Sequence, residues 1–110
     1  MVAPVSRVIP FPGRKEPPPT REELVARIRV LAFETASMRM DHPHLQLRMS
    51  ERNITMRQML EVIRNGEPNQ DPVLDDSGDW RIRLVRKVAG RRVQVVVAVS
   101  ETYLCPVTVI

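Results

Sequence analysis

Between residues 20 and 65 the apolar positions recur every three or four residues, and from residue 80 onward they recur every second residue or run together. The chain therefore reads as helices first and strands afterwards. Thr20-Arg21-Glu22-Glu23 is a capping box that opens a first helix, with Leu24, Ile28, Leu31 and Thr35 on one face and an end near Ala36. Arg27 and Arg29 are expected towards solvent. Ser37–Met40 reads as an extended link or short strand. A second helix over roughly 43–52 is expected to be capped by Asp41 or His42, with Pro43 in its first turn, and Asn53 breaks it. Thr55-Met56-Arg57-Gln58 is a second capping box, and Ile54 with Met59 makes the matching hydrophobic staple. Met56, Met59, Leu60 and Ile63 form the expected buried stripe, and Asn65-Gly66 the stop, with glycine in the left-handed conformation.

Glu67 to Asp79 is a turn-rich connector carrying five carboxylates: Glu67, Asp71, Asp75, Asp76 and Asp79. Trp80, Ile82 and Leu84 then alternate with Arg81, Arg83 and Val85, the pattern of a half-buried strand. Ala89-Gly90 marks a hairpin turn. The apolar run Val93 to Val99 predicts a central strand, and Tyr103 to Ile110 a last strand placed at an edge by Pro106, which has no donor for a ladder. The pattern gives an α+β protein with helices packed on a three- to four-stranded antiparallel sheet. Residues 20–110 form a single domain behind a proline-rich arm, residues 1–19. That arm holds six of the ten prolines and is expected to be disordered.

Composition narrows the chemistry. Aromatic residues are few (Phe11, Phe33, Trp80 and Tyr103), so the core is aliphatic. The formal net charge is +4 and the pI about 10.2, and almost all of the positive charge is arginine, with Lys15 and Lys87 the only lysines. Planar guanidiniums suit bidentate contacts with phosphate. Cys105 is the single cysteine, which excludes an intramolecular disulfide and fits a reducing compartment. With no long apolar run and no apolar leader, the cytoplasm is the expected location and no membrane partner is expected.

Two features carry candidate chemistry. His44, Arg48 and Arg52 are spaced i, i+4, i+8, along one side of a helix, where two guanidiniums could hold a phosphodiester and the imidazole could move a proton. The same spacing also describes a solvated helix face, with arginines pairing to acids such as Glu51. Between residues 81 and 92, Arg81, Arg83, Arg86, Lys87, Arg91 and Arg92 stand with no acid among them, a basic hairpin that suits phosphate or serves as a charged outer sheet face. The acidic connector just before it could neutralise it internally. Asp75-Asp76-Ser77-Gly78-Asp79 does not have the glycine offset of an EF-hand loop. His42 and His44 lack a clear third ligand for zinc. Tyr103 and Thr108 could assist at a site on the sheet.

His44-x3-Arg48-Met49-x2-Arg52-x-Ile54-Thr55, Asn65-Gly66, Gly78-Asp79-Trp80-Arg81, Ala89-Gly90-Arg91-Arg92 and Val107-Thr108-Val109, in that order, resemble a bacterial family of uncharacterised domains, domain of unknown function 4258, over roughly residues 38–110. Its members look distantly similar to the RelE and BrnT toxins, small ribonucleases. The resemblance implies a β-α-α-β-β-β core, here with an extra N-terminal helix. It implies a toxin-like RNA-binding or metal-independent ribonuclease domain. His44, Arg48 and Arg52, with Arg81 added, are the catalytic candidates, and Arg83, Lys87, Arg91 and Arg92 the nucleic-acid-binding ones. No cofactor is expected. RNA, a protein partner such as an antitoxin held through the N-terminal arm, and a second copy in a homodimer are the candidate partners. The alternative is a non-enzymatic interaction module in which the motif arginines are structural, with Arg48 and Arg52 bridging the helix to the acidic connector.

Overall fold

A computed structural model describes residues 18–110, so most of the proline-rich arm, and with it the expectation of disorder, lies outside the described residues. Three helices are followed by five strands: α1 (Arg21–Phe33), α2 (Leu45–Arg52), α3 (Met56–Asn65), β1 (Glu67–Pro68), β2 (Val73–Leu74), β3 (Trp80–Val88), β4 (Arg91–Val99) and β5 (Leu104–Val109). The α+β class holds. All strand pairings are antiparallel, in the order β1-β3-β4-β5, with β2 also on β3. The apolar run thus forms the central strand β4, and Pro106 sits in the edge strand β5.

The core lies between the helices and one face of the sheet. Leu24, Ile28, Leu45, Met59, Val62 and Ile63 from the helices meet Ile82, Leu84, Val93, Val95, Val97, Val99 and Leu104 from the strands. Alternation then puts Arg81, Arg83, Val85 and Lys87 of β3 on the opposite face, where no described helix packs.

Both capping boxes form. The Thr20 hydroxyl accepts from the Glu23 N–H and the Thr55 hydroxyl from the Gln58 N–H, each reciprocated. Several local expectations are corrected. Helix α1 stops at Phe33, three residues before Ala36, and a 3-10 turn over Thr35–Ser37 follows. Arg29 does not point to solvent; it reaches the end of α3 and donates to the Gly66 carbonyl at 2.7 Å. The first residue of α2 is Leu45, and neither Asp41 nor His42 caps it: His44 takes the cap position without a side-chain bond. Met56 is exposed and Leu60 half-buried, and Val62 is buried instead, because α3 meets α1 as well as the sheet.

Gly66 is extended (φ −73°), not left-handed. It is glycine for space: a Cβ there would stand 2.5 Å from the Val62 carbonyl oxygen and 3.1 Å from that of Val85. The expected strand over Ser37–Met40 shrinks to one parallel bridge, Met38 to Leu104. The acidic connector gains structure instead. β1 and β2 are two halves of an interrupted strand along the outer edge of β3, where unpaired backbone groups of a nine-residue strand need partners.

Candidate functional site

The family-like motif on α2 is built first of all to end a helix. Asn53 is left-handed (φ 57°), its N–H bonds to the Ser50 carbonyl at 3.2 Å, and the Ile54 N–H bonds to the Met49 carbonyl at 2.8 Å. That is a Schellman motif, and its apolar contact is supplied by Met49 and Ile54, both buried. Arg91, from the start of β4, completes the end by donating to the carbonyls of Arg52 (2.6 Å) and Asn53 (3.1 Å). A cation at a helix C-terminus also opposes the negative end of its dipole.

The four catalytic candidates do not converge. His44, at the cap of α2, and Arg48 and Arg52 on the helix are exposed. Among the described residues Arg48 has only a loose pair with Glu51 of its own helix (3.8 Å), and neither Arg48 nor Arg52 pairs with the acidic connector. Arg81 stands on the other face of the sheet, its Nε 3.0 Å from Asp75 Oδ2. The connector carboxylates that are paired answer to Arg81 and to Arg21, which meets Asp71 at 2.9 Å.

The nucleic-acid-binding candidates divide in two. Arg83 donates twice to the Gln70 side-chain oxygen, at 2.9 and 2.8 Å, and Arg91 is engaged at the end of α2. Lys87 and Arg92 lie directly opposite each other across β3 and β4, both exposed, and among the described residues neither meets a carboxylate. Like charges in that position oppose each other. Beside them, an open groove of about 470 Å³ between the hairpin and the first turn of α3 holds Arg57 as well as Lys87. Arg86, on its wall, is neutralised by Glu61 at 2.9 Å.

At the other end of the helix-free face a second polar group assembles, and the residue pattern foreshadowed only two of its members, Arg81 and Tyr103. Asp75 Oδ1 accepts the N–H groups of Ser77 and Asp79 and so shapes the turn into β3. The Arg39 guanidinium lies over the Tyr103 ring, 4.3 Å from its centroid, placed there by the Arg39 N–H on the Leu104 carbonyl. Burial, and then the neighbouring Asp75, push the Asp79 carboxyl above its ordinary range, against the opposing pulls of Tyr103 and Arg81. The Cys105 thiol is also pushed up, by burial and then by Asp41, which makes it a poor nucleophile. The Arg39–Tyr103 contact was not visible in the sequence because it depends on the long-range Met38–Leu104 bridge and on the Arg39 N–H that follows it.

Three helices covering one face of an antiparallel sheet, whose bare face carries arginine and lysine, define a small basic α+β domain with a charged platform. The chain belongs to the family described as Domain of unknown function (DUF4258), whose model matches residues 42–110. The helix α1 lies outside the matched region. Comparison with curated proteins and with solved structures finds no match. Among the described residues no helix is long and apolar enough to cross a membrane, and no group of three or more His, Cys, Asp and Glu residues could hold a metal ion.

Proposed function

We propose that this chain is an RNA-binding domain whose contact surface is the helix-free face of the sheet and the tip of its hairpin. The observation that carries the reading is the Lys87–Arg92 pair: two cations in register, exposed, with no carboxylate of the described residues paired to either. An arrangement that opposes folding on its own is relieved by a bound polyanion. Arg83 and Arg81 continue the same face along β3, with side chains two apart pointing the same way. Arg52, at the end of α2 that Arg91 of the hairpin reaches, adds an exposed cation near the tip. A broad sheet face suits a single strand laid across it better than the groove of B-form DNA, which admits a helix or a narrow ribbon. The proposal extends to a distant kinship with the RelE and BrnT toxins and to a cytoplasmic location.

The test is fluorescence anisotropy with a labelled single-stranded RNA over a series of salt concentrations. Binding that weakens steeply with salt, and that Lys87→Ala and Arg92→Ala both reduce, is expected. Absence of binding at low salt overturns the reading.

A second reading, a protein-interaction module, is favoured by one observation. Ala26, Val30 and Phe33 form an exposed stripe on α1, with Phe33 86% and Val30 72% exposed. Sedimentation analysis of wild type against Phe33→Lys tests its simplest form, a homodimer; identical monomeric profiles remove that form.

A further inference from the structure

The two ends of the sheet carry opposite unpaired charge. Trp80 pairs with Val99 and Val99 with Leu104, so the β2–β3 turn and the β4–β5 turn leave the sheet at the same end. Each presents an exposed acid, Asp76 on the first and Glu101 on the second, and among the described residues neither is paired with a cation. The hairpin stands at the other end of β3 and β4, with Lys87 and Arg92 in the same condition. The open groove of about 470 Å³ beside it adds Arg57, exposed on the first turn of α3 and also without a carboxylate among the described residues. The acids near the hairpin are taken, Glu61 by Arg86 and Asn65 and Glu51 by Arg48. At the acidic end Arg81 is taken by Asp75 and Arg21 by Asp71, while Arg39 lies over the Tyr103 ring.

The two sets cannot satisfy each other within one chain. Trp80 and Lys87 stand about 23 Å apart along β3 at the usual rise of a strand, and Asp76 and Glu101 lie in turns beyond Trp80 and its partner Val99. In ordinary salt, exposed charges farther apart than about 10 Å are largely screened from each other. A second copy can bring the acidic end of one molecule onto the hairpin end of another. We propose that this chain associates head to tail, the β2–β3 turn of one copy entering the groove beside the hairpin of the next, with Asp76 and Glu101 facing Arg57, Lys87 and Arg92. The turn is already held from within: Asp75 Oδ1 accepts the N–H groups of Ser77 and Asp79, and the Asp75 N–H bonds to the Asp79 carbonyl at 2.9 Å. Entering the groove therefore costs it little order. The contact is heterologous, since each copy offers a different patch to each neighbour, and every addition leaves one acidic end and one hairpin free. The proposal does not depend on the RNA-binding reading. Exposed ion pairs are individually weak and screened by salt, and the net charge of +4 opposes unoriented association, so the chains form at high protein concentration and low salt and dissolve as salt is added.

The experiment is analytical ultracentrifugation of the full chain, from about 10 μM to about 1 mM, at about 0.02 M and about 0.3 M salt. Wild type is expected to grow past a dimer with concentration at the lower salt and to be monomeric at the higher. Two blocked proteins test the geometry. Asp76→Asn with Glu101→Gln neutralises the acidic end, and Arg57→Gln with Lys87→Gln and Arg92→Gln neutralises the basic one. All five side chains are exposed, and circular dichroism checks that both proteins fold. Each alone is expected to associate at least about tenfold more weakly than wild type. Mixed, they are expected to pair one to one and go no further, because the mixture holds one intact end of each kind. Wild type that stays monomeric at low salt overturns the proposal. Wild type that stops at a dimer shows a closed pair in place of an open chain and overturns it too. So does a mixture of the blocked proteins that fails to pair. Association that survives in both blocked proteins and is lost in Phe33→Lys places the contact on α1 instead and also overturns it.

Discussion

Arg29 and Arg64 close the ends of each other's helices. The Arg29 guanidinium, from α1, donates to the carbonyls of Arg64 and Gly66 at the end of α3, and Arg64 Nε returns a bond to the Ala32 carbonyl at the end of α1, 3.2 Å away. Neither α1 nor α3 ends in a left-handed residue, so these side chains satisfy carbonyls that a Schellman turn would otherwise take. Arg29→Met is expected to lower stability by about 1.5–3 kcal/mol, the range for hydrogen bonds to a charged group. Arg29→Lys is expected to recover little of it, since a point ammonium cannot span two carbonyls as the planar fork does. Urea denaturation reads both, and full rescue by lysine would refute the fork.

The hairpin turn contains a stored defect. Ala89 and Gly90 have φ of 51° and 80°, the signature of a type I′ turn, and alanine is strained at such a position. Ala89→Asn, and equally Ala89→Gly, are expected to raise stability by about 0.5–1 kcal/mol without changing the spectrum of the folded state. A loss of stability in both would show that the turn takes another form in solution.

Gly66 makes a different demand. Its φ is ordinary, so Gly66→Ala is expected to destabilise through collision with the Val62 carbonyl and not through backbone strain, by about 1–3 kcal/mol. Gly78 has φ of 88° and open space around it, and Gly78→Ala is expected to cost about 1 kcal/mol through strain alone. Equal effects of Gly78→Asn and Gly78→Ala would contradict that, because asparagine tolerates the left-handed region better.

These two glycines mark where residue patterns stop being legible. The periodicities located α1, α3, β3, β4 and β5 to within a few residues, because amphipathic spacing and capping boxes are local signals. The role of Gly66 was misread because close approach to the Val85 carbonyl is a long-range fact, and the same holds for Arg29 and Arg91, whose partners are backbone atoms far along the chain. β1 and β2 carry no pattern of their own; two residues each, they exist because the edge of β3 needs pairing. The spacing of His44, Arg48 and Arg52 was read correctly as one side of a helix, but nothing local could show that Arg81 would stand on the far face of the sheet.

Asp79 gives the domain a pH dependence of definite sign. Its carboxyl titrates higher in the folded chain than in the unfolded one, with Asp75 on the turn, Arg81 on β3 and Tyr103 just before β5 acting on it. Between the ordinary carboxylate range and that raised value the folded state holds the extra proton, so this group's contribution is full below the ordinary range and is lost as pH rises through the raised one. Asp79→Asn is therefore expected to melt above wild type at neutral pH, with the gap closing on acidification. A gap that widens as pH falls would reverse the assignment.

Lys87 and Arg92 set stability against binding. Directly opposed on neighbouring strands, they repel each other, and Lys87→Glu converts the pair into an attractive one. Cross-strand pairs of opposite charge are worth about 0.2–1 kcal/mol, so the variant is expected to unfold at higher urea than wild type. On the RNA-binding reading the same change removes one phosphate contact and adds a repelling charge. Affinity is then expected to fall at low salt, and the dependence of the binding constant on salt to flatten by roughly one contact or more. Lys87→Gln separates the two effects, since it relieves the repulsion without introducing attraction: a small gain in stability and an intermediate loss of binding are expected. A Lys87→Glu protein that is more stable and binds RNA as tightly as wild type would show that the hairpin tip does not touch the strand.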